Sequence, residues 1–273
     1  MACRRARSMT VKKIVEVPAR ETEAEQGSDV NAESMDLDTR VLFGVDSLFP
    51  ANDSLQNNLT LYDWVCRNKL SPNFWGRNIN GENALTTEEI QFIHKKGCTV
   101  VPVYLHSGAK DTEGRGESVA LAIKERADEL GIFMGHVVFL KIDGKEDATT
   151  DFLRGFADGM LEQGLIPGFM ADTDSVATFN REFSRGMHAN PELFGKCLIW
   201  AMTPTAPGFE NMTDSHTINP DVWKPYAPSV ISRNEIDAWQ YGKNCHPAYD
   251  DAGKQTMFNL DLTCDMVLIS KAL

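Results

Sequence analysis

The chain has 273 residues, of which 42% are hydrophobic, and a formal net charge of −12 at pH 7. Its length allows one large hydrophobic core or two small ones. The negative charge argues against nucleic acid and anionic membranes as partners, because both would repel the chain. No run of 18 or more apolar residues occurs, so no membrane-spanning segment is predicted.

Motifs for metals, cofactors and nucleophilic serine are missing from the sequence. The six cysteines are scattered without CxxC spacing, which indicates reduced structural thiols rather than a zinc site or a disulfide framework. Neither a Gly-rich phosphate loop nor a GxSxG motif is found, and the six histidines show no ligand spacing. We therefore expect no cofactor and no metal.

Residues 1–39 are predicted to form a disordered, charged tail. Residues 1–20 hold six basic side chains, whereas residues 21–38 hold seven acidic side chains and no base. Such a segment buries too little apolar surface to offset the entropy lost on ordering. The basic start lacks an apolar stretch behind it, which is not typical of a secretory signal. A cytoplasmic location, or export by a non-standard route, is expected.

From residue 40 to residue 273, short apolar runs alternate with amphipathic segments. Helices are predicted where apolar residues recur at helical spacing between a capping residue and a glycine; these segments are 86–96, 116–130, 149–164 and 174–187. Strands are predicted at 41–46, 73–78, 99–105, 136–143, 165–172, 197–202, 237–242 and 257–265. The Pro-rich stretch 203–235 is expected to be an irregular connection.

This alternation predicts an α/β protein with a parallel sheet and crossover helices. Eight strands favour a single (β/α)8 TIM-type barrel over an open sheet. In such barrels the chemistry lies at the C-terminal ends of the strands, and several predicted strands carry an aspartate there or nearby: Asp46, Asp143, Asp172 and Asp261. Each has an ordinary explanation as a turn residue, but their convergence on one rim would create a functional acidic site.

Aromatic and basic residues are predicted near the same rim. Five aromatic residues lie in or beside strand ends, where flat rings could cover the apolar face of a sugar: Trp75, Tyr104, Trp200, Trp239 and Tyr241. Arg77 ends the second strand and could hold a carboxylate or a ligand oxygen. Lys141 shares a strand face with Asp143 and could pair with it.

Several stretches resemble the glycoside-hydrolase-like domain family related to the family 25 lysozymes (muramidases). They are "FGVDSLFP", "FWGRNINGENALTTEEIQFIHKKGCTVVPVYLHSG", "VVFLKIDG", "IPGFMADTDS" and "AWQYG" with "FNLDLTCD", and their order spans about residues 40–270. The resemblance implies a (β/α) barrel with an acidic pocket at its rim, and peptidoglycan or a similar N-acetylated glycan as substrate.

Carried over to this chain, the resemblance implies roles for Asp46 at the end of strand one and Asp143 at the end of strand four. The lysozymes have an Asp-x-Glu pair at strand four, whereas this chain reads Lys141-Ile142-Asp143. Replacing Glu by Asp shortens the reach of the acid by about 1.5 Å, one C–C bond.

Three functional interpretations remain open at this stage. The first is a glycosidase with Asp143 as general acid and Asp46 or Asp172 as base or charge stabiliser, with Arg77, Tyr104, Trp239, Tyr241 and Asp261 binding substrate. The second is a barrel that binds a glycan or partner without hydrolysing it, which a cation next to the acid would favour. The third is an unrelated barrel enzyme for a small acidic substrate, which an acidic pocket disfavours. The oligomeric state is left open.

Overall fold

The structure is a computed structural model, and it describes residues 41–54, 59–66, 71–106, 113–142, 148–210, 223–245 and 264–270. The predicted tail, residues 1–39, lies outside the described residues. Eight strands are present: β1 (Val41–Ser47), β2 (Phe74–Asn78), β3 (Thr99–Leu105), β4 (Val137–Lys141), β5 (Ile166–Ala171), β6 (Leu198–Ala201), β7 (Ala238–Gln240) and β8 (Cys264–Ser270).

Helices follow the first five strands. They are α1 (Leu61–Val65), α2 (Thr87–Lys95), α3 (Glu113–Leu130), α4 (Thr150–Glu162), α5 (Thr178–Ala189) and α6 (Pro191–Phe194). Threonine caps set several helix starts, because the hydroxyl of Thr86 accepts from the Glu89 N–H and that of Thr149 accepts from the Phe152 N–H. The short helices α1 and α6 were missed by the sequence analysis, since they are too short to show a helical period.

The strands are hydrogen-bonded in sequence order around a closed ring. β1 to β7 are mutually parallel and form a curled sheet, whereas β8 runs antiparallel to both β1 and β7. The regular eightfold (β/α) repeat predicted from the sequence is therefore not realised. Between β6 and β7, the described residues include a single 3-10 turn at Arg233–Glu235 and no α-helix, in line with the irregular connection expected there.

The prediction of the last strand was displaced along the chain. Residues 257–265 were predicted, but β8 begins at Cys264 and its pairing with β1 runs from Val41↔Ser270 to Ser47↔Cys264. The β-branched and apolar residues of "MVLIS" form the strand, as strand propensity favours. Residues 257–263 lie outside the described residues.

The sheet separates two hydrophobic layers. The inner layer fills the barrel and is formed by residues such as Phe74, Val103, Phe139, Met170 and Trp200. The outer layer lies between the sheet and the helices. Besides the helical side chains it includes Tyr241, directly after β7, and the alternate strand residues Val45, Trp75, Leu140, Phe169 and Trp239. Because side chains alternate along each strand, membership of a layer tells which residues can face a site inside the barrel.

Candidate functional site at the barrel mouth

Polar side chains of the inner face gather near the C-terminal ends of the parallel strands. Asp46 belongs to β1, Asn78 to β2, Lys141 to β4 and Gln240 to β7. Asn78 lies four residues after Phe74, and Gln240 lies two residues after Ala238. Each therefore shares the inner face with a residue of the inner layer. This end of a parallel barrel is where active sites are built in barrel enzymes.

Asp46 and Lys141 form an ion pair across this end of the barrel. The Lys141 Nζ lies 3.7 Å from the Asp46 Oδ2, and the exposed fractions of the two side chains are 22% and 6%. Gly76 on the neighbouring strand lets Asp46 lie close to the sheet, because a Cβ at position 76 would come within 2.7 Å of the Asp46 Oδ1 and 2.9 Å of the Trp200 Cη2. The absence of a side chain at Gly76 thus leaves room for both the carboxylate and the indole ring.

Four buried polar atoms of the inner face have no hydrogen-bond partner among the described residues: Asp46 Oδ1, Asn78 Nδ2, Trp200 Nε1 and Gln240 Oε1. Buried polar atoms are nearly always bonded to protein or to water, since leaving one unpaired costs about 1–3 kcal/mol. Two of these atoms are donors and two are acceptors. Water or a polar ligand that reached the inner wall would find both donors and acceptors there.

Asp172 follows β5 directly and already has bonding partners. Its Oδ1 accepts hydrogen bonds from the Asp174 N–H at 2.9 Å and from the Thr203 Oγ1 at 2.8 Å. These bonds tie the end of β5 to the segment after β6. The turn role that the sequence analysis allowed for an aspartate at this place is present, and a further role through Oδ2 stays a prediction.

Asp143 and Asp261 lie outside the described residues, so their predicted roles in acid catalysis and substrate binding stay predictions. The predicted partner of Lys141 was Asp143, whereas the partner found among the described residues is Asp46. Lys141 is the last residue of β4, two residues before Asp143 in the sequence.

Arg77 lies on the outer face of β2 rather than in the barrel. Its guanidinium is fully buried and forms a two-pronged ion pair with Glu89 of α2, with N···O distances of 2.7 and 3.2 Å. It also donates to the carbonyl oxygens of Ser47 and Asn83. Arg77 therefore links β2 to β1 and α2 through hydrogen bonds. It does not lie on the wall of the pocket, where the sequence analysis had predicted it.

The three aromatic residues predicted to bind substrate also face the outer layer. Trp239 and Tyr241 are buried there, and the Trp239 Nε1 donates to the Pro204 carbonyl oxygen at 2.8 Å. Tyr104 is half-buried and packs against the same layer. The structure therefore does not bring these rings to the inner wall, where the aromatic side chain next to Asp46 is Trp200.

Asn78 and Gln240 were missed as site residues by the sequence analysis, whereas Trp200 was among the aromatic residues predicted near the rim. A signal was available in the register, since residues two apart on a strand share a face. If Asp46 faces inward, Gly44 must face inward too. The β1–β2 pairing then places Gly76 beside Asp46 on the same face. Counting by two from Gly76 reaches Asn78, but that pairing is known only from the structure.

Within the described residues, no group of three or more His, Cys, Asp or Glu side chains is arranged to hold a metal ion. Among the described helices, none is long and apolar enough to cross a membrane.

Comparisons with known proteins locate the fold but not a family. No family model and no curated protein matches the chain. An uncharacterized B. stearothermophilus protein, solved as a crystal structure at 1.07 Å, is similar over 84% of this chain and 96% of that chain, with 22% identity and a TM-score of 0.63. At this identity the likeness shows a shared fold.

The modular autolysin LytC from Streptococcus pneumoniae, in complex with a synthetic peptidoglycan ligand, has 10% identity and a TM-score of 0.46. A second structure of LytC gives a TM-score of 0.44. In both comparisons the match covers 84% of this chain and 46% of the autolysin chain. Scores this low support no inference about function.

Proposed function

We propose that the protein hydrolyses glycosidic bonds of peptidoglycan or a related N-acetylated glycan at the C-terminal mouth of its barrel. The observation that carries the proposal is the set of buried, unpartnered donors and acceptors around Asp46. Sugar hydroxyls and acetamide groups offer both kinds of hydrogen bond, and the buried Trp200 indole lies near the same carboxylate beside Gly76. The resemblance in sequence to the glycoside-hydrolase-like domains supports the same substrate class.

In this mechanism Asp46 supplies the negative charge that stabilises the oxocarbenium-like transition state. The Asp46 Oδ1 has no partner among the described residues, while Oδ2 faces the Lys141 ammonium. Asp143 is assigned as the general acid that protonates the leaving oxygen. If the sugar carries a 2-acetamido group, that group can act as the nucleophile, so that one protein acid and one stabilising carboxylate suffice.

Binding without hydrolysis is the second candidate, and the Asp46–Lys141 ion pair favours it. The Lys141 ammonium occupies one oxygen of the inner carboxylate, which leaves a single oxygen for a ligand. A carboxylate held in this way still accepts a hydrogen bond from a sugar hydroxyl, but it stabilises a developing positive charge less strongly.

The test follows new reducing ends from cell walls and from chitin-type oligosaccharides between acidic and neutral pH. Asp143→Asn should lower turnover about 10²–10⁴-fold, the usual contribution of general acid catalysis, and Asp46→Asn should also slow it. Asp158→Asn is the matched control, because Asp158 is exposed on α4 and should leave turnover unchanged.

Each alternative has its own outcome in the same assay. Binding of these glycans by the wild type without any turnover would establish the binding function instead. Full activity of Asp143→Asn would contradict the assignment of the general acid. Neither binding nor turnover on any N-acetylated glycan would contradict the proposed substrate class.

A further inference from the structure

A second polar cleft lies beside the barrel mouth. It has a volume of about 470 Å³ and is formed by the residues after β5 and by the segment before β7. Its lining residues are Thr173, Asp174, Ser175, Pro225, Tyr226, Ala227 and Arg233. None of them belongs to the site around Asp46.

The cleft contains one cation and one anion that are not paired with each other. Among the described residues, neither Arg233 nor Asp174 forms an ion pair. The Arg233 Nε donates to the Pro225 carbonyl oxygen at 3.1 Å, which fixes the base of the guanidinium. Its two terminal nitrogens bond to no other described residue and can face a ligand. The Asp174 Oδ1 accepts from the Val176 N–H and the Ser175 hydroxyl.

Hydrogen bonds fix the cleft relative to the barrel mouth. The Thr173 hydroxyl donates to the Tyr226 carbonyl oxygen at 2.9 Å, and the Tyr226 N–H donates to the Thr203 carbonyl oxygen at 3.0 Å. Thr203 and Asp174 both donate to the Asp172 Oδ1. The backbone of Tyr226 is therefore held in place, while its side chain remains at the surface, since the residue is 42% exposed.

We infer that this cleft is a subsite for a carboxylate-bearing substituent of the glycan bound at the barrel mouth, with Arg233 as the group that recognises the carboxylate. The inference rests on the proposed function, since it extends the same bound ligand from the end of β5 outward. A guanidinium with two free terminal nitrogens matches the two oxygens of a carboxylate. The exposed Tyr226 ring offers an apolar platform for the adjoining sugar.

The charge of the whole protein makes this local cation important. At a net charge of −12 the chain repels an anionic ligand. The Arg233 guanidinium supplies a local positive charge where the ligand's carboxylate would lie. A neutral glycan has no need of such a group, so Arg233 should decide between charged and neutral forms of one saccharide.

The experiment compares two disaccharides that differ by a lactyl carboxylate. N-acetylglucosaminyl-N-acetylmuramic acid carries it, and N,N′-diacetylchitobiose does not. Affinities for both are measured by NMR titration of the full chain. Wild type should prefer the carboxylated disaccharide about 5- to 20-fold, the range expected for a charge-assisted hydrogen bond in a partly solvated site. Arg233→Gln should abolish this preference and leave the affinity for the neutral disaccharide unchanged.

Lys224→Gln is the matched control, because it removes one positive charge from the exposed part of the same segment without removing a lining residue. It should keep the preference. Equal binding of both disaccharides by the wild type, or a preference that survives Arg233→Gln, would overturn the subsite and leave the proposed function standing. Failure of the wild type to bind either disaccharide would overturn both.

Discussion

The two faces of strand β2 differ in the hydrogen bonding of their buried polar side chains. On the outer face, the Arg77 guanidinium donates to the Glu89 carboxylate and to the carbonyl oxygens of Ser47 and Asn83. On the inner face, Asn78 is equally buried, but its Nδ2 has no partner among the described residues. A saturated buried group stabilises the fold, whereas an unsaturated one is tolerated where water or a ligand completes it.

The same contrast separates the two buried indoles Trp75 and Trp200. The Trp75 Nε1 in the outer layer donates to the Ser47 hydroxyl at 2.8 Å, and that hydroxyl donates onward to the Phe49 carbonyl oxygen at 2.7 Å. The Trp200 Nε1 at the inner wall has no partner among the described residues. Both outer side chains, Arg77 and Trp75, thus have hydrogen-bond partners, whereas the inner Asn78 and Trp200 each have a donor without a partner among the described residues.

The largest expected effect follows from breaking the outer network. Glu89→Gln would leave the Arg77 guanidinium buried without its counter-charge and would weaken the bond from the Ala51 N–H to the Glu89 Oε1, now 2.8 Å long. Removing one partner of a buried ion pair costs about 3–5 kcal/mol. Urea denaturation should show this loss in the free energy of unfolding. A loss below about 1 kcal/mol would mean that the network does not stabilise the fold.

A smaller loss of stability is expected from adding a methyl group at Gly76, next to Asp46 and Trp200. In Gly76→Ala the new Cβ would lie 2.7 Å from the Asp46 Oδ1 and 2.9 Å from the Trp200 Cη2, so the carboxylate and the indole must move. Overpacking of this kind costs about 1–3 kcal/mol, and glycan binding should be lost with it. At Gly114 a Cβ would meet nothing within 4 Å, so Gly114→Ala is the control and should keep both stability and binding.

The two indoles provide a matched pair of substitutions, whose free energies of unfolding should differ by about 1 kcal/mol. Trp75→Phe and Trp200→Phe remove similar volumes from fully buried positions, but only the first breaks a hydrogen bond to a described residue. Because a typical buried hydrogen bond contributes about 0.5–1.5 kcal/mol, Trp75→Phe should be the more destabilising by that amount. Glycan binding should show the reverse order, with the larger loss in Trp200→Phe. Equal stabilities and equal affinities would remove the distinction between the two faces.

The smallest effect concerns Glu182, another saturated group outside the barrel. Burial alone would raise the pKa of Glu182, but hydrogen bonds from Arg181 and Thr150 hold it below its ordinary value. A depressed carboxyl pKa contributes stability above the unfolded-state pKa, and the contribution is lost as the pH falls through the folded-state value.

Glu182→Gln removes this contribution, so the stability difference from wild type should be present at neutral pH and should shrink below about pH 4.3, the ordinary glutamate pKa. Thermal unfolding across this pH range measures it. The exposed Glu125 on α3 provides the control, and Glu125→Gln should show no such pH dependence. A stability difference between Glu182→Gln and wild type that stays constant down to pH 2 would contradict the lowered pKa of Glu182.

The sequence was sufficient for the positions of most strands but not for the faces of their residues. β1 to β7 lie within a few residues of their predicted places because each is a short apolar run between turn or helix signals. Strands of a parallel barrel are buried on both faces, however, so hydrophobicity does not alternate along them. Nothing in "DAWQYG" therefore indicates that Gln240 faces inward while Trp239 and Tyr241 face outward.

Long-range partners were the other information that the sequence did not contain. Arg77 was assigned to a ligand because an arginine at a strand end often binds an anion. Its anion is Glu89, which lies 12 residues later in the chain and was counted as an acid near the start of α2. Lys141 similarly pairs with Asp46 across the barrel, a contact that depends on the closure of the sheet.

The most direct test of the account is a crystal structure of the protein with an N-acetylated oligosaccharide. The account predicts ligand atoms within about 3.2 Å of the Asp46 Oδ1 and the Trp200 Nε1, the range of a normal hydrogen bond. A saccharide bound away from the inner wall, or these two atoms bonded to other groups of the chain itself, would contradict the claim that their missing partners mark the functional site.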